Sequence, residues 1–324
     1  MKALICGVGG QDGGHLAAFL LNQGYEVVGT SRDAMMASFR NLDRLGIRHR
    51  VQTCSMAIND FRSVLGVLGK HAPDEIYNLA GQTSVGLSFE QPVETMESIV
   101  QGTLNILEAM RFVGRSIRFY NAGSSECFGD TGQTAANEHA PFQPRSPYAV
   151  AKASAHWLVS NYRMAYGMPA CTGILFNHES PDRPERFVTQ KIIRAAARIK
   201  RGSGEVLQLG NLDVQRDWGW SADYVVAMWK MLQQSSIEDL VIATGRTESL
   251  EYFVARAFSI HGLDWRDHVR TEASLLRPSD ILCSRADPSR ARAAIGWRAS
   301  VDIDGVIERM SAAALEQVDS RSLG

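Results

Sequence analysis

Residues 2–6, KALIC, run directly into GVGGQDGGHL, so a short β-type run is followed by a glycine loop and the start of an amphipathic stretch. Strand, glycine loop and helix in that order narrow the fold more than any other feature of the chain. Gly7, Gly10 and Gly13 form GxxGxxG. Glycines so placed permit a tight turn, let backbone approach a pyrophosphate, and allow close helix–strand packing, while the helix N-terminus faces the anion. The same triplet also occurs in ordinary βα turns; its place after the first strand and before a helix points to dinucleotide binding.

The rhythm continues through the first half. Candidate strands lie at 2–6, 25–30, 50–54, 74–80 and 117–122, separated by helical patterns such as DGGHLAAFLLNQG and ESIVQGTLNILEAMRFVG. Alternation of this kind predicts an α/β fold with a doubly wound parallel sheet of Rossmann type. A further strand, 170–176, follows a helix expected over 146–166. Beyond residue 177 the rhythm breaks: NHESPDRPERF and GNLDVQRDWGW interrupt helices expected at 188–201, 221–234 and 249–261, with small strands near 206–209 and 241–243. The expectation is a nucleotide-binding domain over 1–176 and a smaller α+β substrate-binding cap over 177–324, with segments of the two interleaving.

Composition excludes more than it identifies. The 324 residues are 45% hydrophobic and 21% charged, with a formal net charge of −1. Nothing in that balance draws the chain to nucleic acid or an anionic membrane, so an anionic ligand must be held by local arginines and helix ends. Cys6, Cys54, Cys127, Cys171 and Cys283 are odd in number and lack CxxC spacing, which argues against a disulfide framework and a zinc site; no metal is expected. Met1–Cys6 lacks the basic start of a secretory signal, and no apolar run approaches the ~18 residues of a membrane span. A cytoplasmic location is the expectation.

Two stretches carry chemistry. SPYAVAK places Tyr148 and Lys152 one helical turn apart. An ammonium under a phenol, with a cofactor's positive ring nearby, lowers the phenol pKa and lets it take a proton from a sugar or alcohol hydroxyl. YxxxK is common by chance on exposed helices; its distance from the glycine loop gives it weight. AGSSECFG, 122–129, follows the fifth strand and falls at its carboxyl edge, where ligands bind in open α/β sheets. Ser124 would address the same oxygen as Tyr148. Glu126 adds a fourth acid–base group, which simple alcohol oxidation does not need and which implies a further proton transfer beside a new ketone. The alternative is that Glu126 caps a loop or pairs with an arginine.

Cofactor choice is read after the second strand, in GTSRDAMMASFR. An acid there would bind the ribose of NAD, whereas Arg32, with Arg40 as a second candidate, suits the 2′-phosphate of NADP. Arg32 is equally compatible with an ordinary solvated face. NADP is the expected cofactor, with NAD the alternative.

GVGGQDG, PDEIYNLAGQTSVGLSFEQP, PFQPRSPYAVAKASAHW, GILFNHESP and LGNLDVQRDWG together resemble the extended short-chain dehydrogenase/reductases, and among them the GDP-mannose 4,6-dehydratase family. The likeness runs almost end to end and includes MWKMLQQ, VIATG and LLRPSDI. It implies that carbon 4 of GDP-mannose is oxidised with Tyr148 as base, Lys152 tuning it and Ser124 on the oxygen. Glu126 then removes the carbon 5 proton and helps water leave carbon 6, giving GDP-4-keto-6-deoxymannose. Gln11, Asp12, Leu79, Ala80, Gln82, His178 and Arg183 match cofactor positions. Ser84, Asn177, Val188, Lys191, Arg216, Arg277 and Asp280 match positions that hold the nucleotide-sugar. The superfamily's helix pair, here about 93–111 and 146–166, implies a homodimer, with a tetramer as the alternative.

The chain departs from this family at four places. Ser124 stands for threonine, Asp33 for the second of two arginines in a shortened loop, Ser55 for an aspartate near the adenine, and Asp280 for a glutamate near the ribose. Dehydration of a related GDP-sugar such as GDP-heptose, or reduction of GDP-4-keto-6-deoxymannose, are the alternative activities; a non-catalytic nucleotide-binding regulator would not need all four catalytic groups.

Overall fold

In the computed structural model, which describes residues 1–275 and 279–322 with side chains to residue 318, strand and helix alternate as the patterning predicts. β1 (Lys2–Cys6), α1 (Gln11–Asn22), β2 (Glu26–Ser31), α2 (Arg40–Arg44), β3 (Gln52–Ser55), α3 (Phe61–His71) and β4 (Glu75–Asn78) come first. Then follow α4 (Val85–Glu90), α5 (Pro92–Met96), α6 (Gly102–Val113), β5 (Arg118–Ala122), α7 (Pro147–Tyr166) and β6 (Ala170–Leu175). The remainder holds β7 (Asn177–Glu179), α8 (Val188–Lys200), β8 (Leu207–Leu209), β9 (Gln215–Trp220), α9 (Ser221–Leu232) and β10 (Leu240–Ile242). It closes with β11 (Thr247–Ser249), α10 (Leu250–Ser259), α11 (Trp265–His268), β12 (Val269–Thr271), α12 (Ser289–Ile295) and α13 (Ile303–Ser322).

Seven strands form one parallel sheet in the order β10-β6-β5-β4-β1-β2-β3. The order reverses beside β1, which creates the crevice at the carboxyl edge where such sheets take ligands. Side chains alternate between two cores, as the pleat requires. Ala3, Ile5, Tyr77 and Tyr120 join the apolar cluster under α1 and α9. Leu4, Cys6, Ile76 and Phe119 enter the opposite one, under α3, α6 and α7. With both faces covered, the strands can be apolar throughout, and β4 and β6 are buried at every residue.

A separate core organises the cap. Ile192 and Ile193 of α8, Phe253 and Phe258 of α10, and Ile307 of α13 pack around Trp218 of β9. β9 lies between β7, parallel to it, and β11, antiparallel; β8 and β12 make a small parallel pair.

Two expectations change in detail. The strand expected near 241–243 in the cap is β10, and it extends the large sheet by pairing with β6. Leu240, Val241 and Ile242 are all but fully buried, and an apolar triplet of that kind belongs in a sheet covered on both faces. The helix expected over 93–111 contains a π-turn at Glu97–Gln101 between α5 and α6. One inserted residue shifts the helical phase without erasing the periodicity, so the sequence pattern reads straight through it. Helix α7 matches its expected span: Ser146 Oγ accepts from Ala149 N at 3.1 Å, Pro147 fills the first turn, and Gly167 closes it at φ 64°.

Candidate active site

A cleft of about 400 Å³ lies over the carboxyl ends of β4, β5 and β6, where Leu79, Ala122 and Leu175 line it, and is roofed by the cap. Asp12 brings the glycine loop to its floor, while Gly7, Gly10 and Gly13 themselves fall outside the lining. Gly7 adopts φ +83°, and a Cβ there would lie 3.1 Å from the Ala80 backbone and the Leu79 carbonyl. At Gly13 a Cβ would sit 2.4 Å from Gly7 O, so α1 seats directly on the loop only because no side chain intervenes. Gly10 is the N-cap residue of α1, supplies no side-chain cap, and leaves the first-turn amides of the helix to an outside acceptor. A backbone cradle without side chains, ending in a helix N-terminus, fits the pyrophosphate of a dinucleotide.

Asp12, in the first turn of α1, is the hub that joins this floor to the cap. Its Oδ2 lies 2.8 Å from His178 Nε2, and its Oδ1 accepts from Ser221 Oγ at 2.8 Å and from Gln11 Nε2 at 3.0 Å. Gln11 also donates to His178 O at 3.2 Å and accepts from Ser180 Oγ at 3.0 Å. Burial alone would raise the Asp12 carboxyl, but the His178 charge and these hydrogen bonds outweigh it and hold it well below the usual range. Burial works against the His178 imidazolium too, yet Asp12 beside Nε2 and the Phe176 carbonyl, 2.7 Å from Nδ1, leave it raised. An acceptor at each nitrogen favours the protonated ring, which stacks on Tyr224 at 4.4 Å between centroids.

The four catalytic candidates converge on the cleft. Ser124 ends the extended segment after β5, and its Oγ accepts from Glu126 N at 3.3 Å, turning the chain into a 3₁₀ turn at Ser125–Phe128. The Ser124 hydroxyl and the Glu126 carboxylate are both near enough to act on the Tyr148 phenol, the first favouring its ionisation and the second opposing it. Lys152, one turn along α7, donates from Nζ to Ala122 O at 2.7 Å and lies 5.8 Å from the Tyr148 ring centroid.

The lowered phenol is expected with a cofactor's positive ring beside it, and the chain's own groups set the starting point. Burial raises the Tyr148 phenol above its ordinary value, with Ser124 and Arg183 pulling down and Glu126 and Cys127 pushing up. Burial also lowers the Lys152 ammonium to about 8, against the raising influence of Cys127 and Asp12. In the chain by itself burial favours the protonated phenol, and Lys152, its ammonium seated on the Ala122 carbonyl, is not among the groups that lower it. A further cation at the phenol is needed to ionise it, which is what an oxidised nicotinamide ring brings.

The cap supplies the other wall. Asn177, Arg183, Val188, Lys191, Arg216 and Asp280 all line the cleft, as does Ser84, whose Oγ caps α4 by accepting from Leu87 N at 3.3 Å. Arg183 Nε is 3.1 Å from Glu179 Oε2, and its guanidinium lies 4.0 Å over the Phe187 ring. Lys191 Nζ donates to Gln208 O at 2.6 Å, and Arg216 faces Asp280 at 3.6 Å. The lining also includes Arg186 and Asn211, which the sequence reading did not single out. Arg186 lies three residues after Arg183 in DRPERF, and that local doubling of cations was the available signal; Asn211 offered none.

Other positions fall outside the cleft lining. Gln82 turns its amide onto its own loop, donating to Ser84 O at 2.8 Å and Thr95 Oγ1 at 3.2 Å. Arg32 pairs with Glu94 at 2.6 Å on an exposed rim. Arg277 lies outside the described residues. Among the described residues no cluster of three or more His, Cys, Asp or Glu could hold a metal ion, and no helix is long and apolar enough to cross a membrane.

Comparison with known proteins bears on the family and the fold. The family model described as GDP-mannose 4,6 dehydratase matches residues 4–310. GDP-mannose 4,6 dehydratase 1 of Arabidopsis thaliana is 43% identical over 318 residues, covering 95% of this chain and 88% of its own. GDP-mannose 4,6-dehydratase of Vibrio cholerae is 40% identical over 343 residues, covering 95% and 92%. Among solved structures, UDP-glucose 4-epimerase from Thermotoga maritima superposes with a TM-score of 0.88 at 21% identity, covering 98% of this chain and 100% of that one. RMD from Pseudomonas aeruginosa, complexed with NADPH, gives 0.80 at 23%, covering 98% and 99%. These last two show the fold alone. The extent of the family match and the identity to its members make this chain a member of the GDP-mannose 4,6-dehydratase family.

Proposed function

We propose that this chain is a GDP-mannose 4,6-dehydratase, converting GDP-mannose to GDP-4-keto-6-deoxymannose. The observation that carries the reading is Glu126: a carboxylate set beside the Ser124–Tyr148 hydroxyl pair in a cleft that also holds Lys152. A nicotinamide dinucleotide, NADP in preference to NAD on the strength of Arg32, would supply reversible hydride transfer for carbons 4 and 6 when bound. The loop of Gly7, Gly10 and Gly13 with the α1 N-terminus would hold its pyrophosphate, and Lys152, His178 and Arg183 would flank its other end.

The chain's own groups do the proton work. Tyr148 takes the proton from the carbon 4 hydroxyl, while Ser124 Oγ fixes the same oxygen. The resulting ketone acidifies carbon 5, and Glu126 removes that proton and returns one to the departing carbon 6 hydroxyl; carbon 5 regains a proton as carbon 6 is reduced, which balances the one Tyr148 took. One carboxylate serves both transfers because the two carbons are adjacent. Lys191, Arg183, Arg186 and Arg216 surround the space for the diphosphate, and planar guanidinium groups suit its oxygens. The cap, carrying most of these cations, acts as the nucleotide-sugar-binding part, and residues 1–176 provide most of the cofactor-binding part.

The chain would work as an isologous dimer. Helix α7 exposes Val150, Trp157 and Met164 at 40%, 59% and 74%, an apolar stripe suited to a two-fold partner. Light scattering at micromolar concentration should give twice the monomer mass, and a monomer refutes the assembly. Activity is tested by incubating the protein with GDP-mannose and catalytic NADP+ and following the nucleotide-sugar by mass spectrometry. Loss of one water without net cofactor reduction is expected. Consumption of NADPH in proportion to a 4-keto sugar, with no dehydration of GDP-mannose, would replace this reading with a reductase.

A further inference from the structure

One carboxylate at the cofactor end has no part in the proposed chemistry. Arg32 follows the last residue of β2, at the same sheet edge as the glycine loop, since Thr30 O accepts from Gly7 N at 3.1 Å and Val8 N at 3.3 Å. In folds of this type the adenosine ribose reaches the end of the second strand, where an arginine accommodates a 2′-phosphate. Arg32 Nη2 lies instead 2.6 Å from Glu94 Oε1 on α5. Asp33, the next residue, does not compete for that cation. Its Oδ1 is occupied by Met35 N at 2.9 Å and Met36 N at 3.2 Å. Neither partner of the pair is buried: the Arg32 side chain is 72% exposed and that of Glu94 42%, so a ligand phosphate has access to both.

We propose that Glu94 is a specificity-determining residue, which restrains the preference for NADP over NAD by competing with the 2′-phosphate for Arg32. The inference rests on the reading of the glycine loop as a nicotinamide-dinucleotide site. NADP must displace the carboxylate from the guanidinium and then sit beside it as a like charge. NAD presents only a ribose hydroxyl and leaves the ion pair standing, so the cost falls on one cofactor alone. An exposed pair of this kind shifts an equilibrium by about 1.4- to 5-fold, and repulsion between phosphate and carboxylate acts in the same direction. Glu94 was invisible as a partner of Arg32 in the sequence, because 62 residues separate them.

The test is a binding measurement on the full-length protein freed of nucleotide, by tryptophan fluorescence or calorimetry. NADP+ and NAD+ are compared, with 2′,5′-ADP and 5′-ADP as probes that differ in the same phosphate. Glu94→Gln is expected to tighten NADP+ and 2′,5′-ADP by about 2- to 5-fold and to leave NAD+ and 5′-ADP unchanged. In an Arg32→Ala background the same substitution should have a smaller effect on NADP+ and 2′,5′-ADP, that of the direct repulsion alone, and none on NAD+ and 5′-ADP. Equal tightening of both cofactors, an unmoved ratio, or an effect undiminished by Arg32→Ala overturns the inference. If neither cofactor binds the unmodified chain, the dinucleotide reading falls with it; if both bind and only the ratio is unmoved, the inference falls alone.

Discussion

The corner made by β5 and α7 and the wall contributed by the cap face each other across one cleft, yet they are assembled in opposite ways. In the corner, Ser124, Glu126, Tyr148 and Lys152 come from two adjacent elements, and three of them are at most 9% exposed. Their hydrogen-bond partners are main chain: Lys152 on Ala122 O and Ser124 on Glu126 N. In the cap wall, Lys191 comes from α8, Arg216 from β9, and Asp280 from the segment between β12 and α12. The corner is preorganised by burial, which fixes geometry but makes charge expensive. The wall is assembled from short strands and long side chains, which suits a ligand that brings its own charge and organises them. The corner should therefore govern turnover, and the wall should govern affinity.

The sharpest test of that division is Glu126→Gln, which keeps shape and hydrogen bonding but cannot accept a proton. Loss of a general acid–base group costs ~10²–10⁴-fold in rate. The expected outcome is a fall of that size in kcat for release of 4-keto-6-deoxy product with KM little changed, while reduced cofactor still accumulates in a single turnover. Tyr148→Phe should lose turnover by a comparable factor and show no such accumulation. A Glu126→Gln protein that dehydrates GDP-mannose at the normal rate would make the carboxylate structural and break the comparison.

Next in size is the cost of burying Lys152. Burial holds its ammonium near a pKa of about 8, below the ordinary 10.5. Between those values the unfolded chain binds a proton that the folded chain does not, so stability rises with pH across that window. Below it the full penalty applies, ~3 kcal/mol at 1.36 kcal/mol per unit. Lys152→Met should therefore be more stable than the unmodified protein at pH 7 by up to about that amount, less the lost bond to Ala122, while activity disappears. The gain should shrink as pH approaches 10.5. Denaturant unfolding at pH 7 and pH 10 reads both, and a less stable variant at pH 7 would show that the ammonium is not strained.

The wall gives the smallest of the three effects. Arg216→Ala removes a cation from the space assigned to the diphosphate. Hydrogen bonds to charged groups contribute ~1.5–3 kcal/mol, so KM for GDP-mannose should rise about 10- to 100-fold with kcat within about 3-fold, the signature of uniform binding. A fall in kcat that outweighs the change in KM would place Arg216 among the groups that act on the reacting sugar.

The same contrast explains what the sequence made legible. The parallel sheet, the glycine loop and α7 with its Tyr148–Lys152 pair depend on local periodicity and on residues a few positions apart, and all were readable. The assignment of Ser124 and Glu126 to the cleft needed only the end of one strand. What escaped required long-range partners. The pairing of β10 with β6 is decided by which sheet can cover an apolar triplet on both faces, which no local pattern records. Asp12 was readable as a loop residue, but its bond to His178 spans 166 positions. The upward push on the phenol is of the same kind: spacing puts Lys152 under Tyr148, but the burial that raises the phenol depends on how other elements pack around it.

The path of β10 has a consequence for any attempt to divide this protein. The chain leaves the large sheet after β6, builds β7 to β9 of the cap, returns through α9 and β10, and then leaves again for β11 and α10. A fragment ending near residue 176 would lack the strand that covers β6 and the helix that packs over Tyr77 and Tyr120. It would present β6, buried at every residue in the intact fold, as an open edge to solvent, the kind of edge that recruits other chains. The complementary fragment would carry Leu240, Val241 and Ile242 with no sheet to join. Expressed separately, the halves should aggregate and should recover a cleft only when refolded together, whereas a nick in the exposed turn around Gly202–Gly204 leaves every sheet pairing intact.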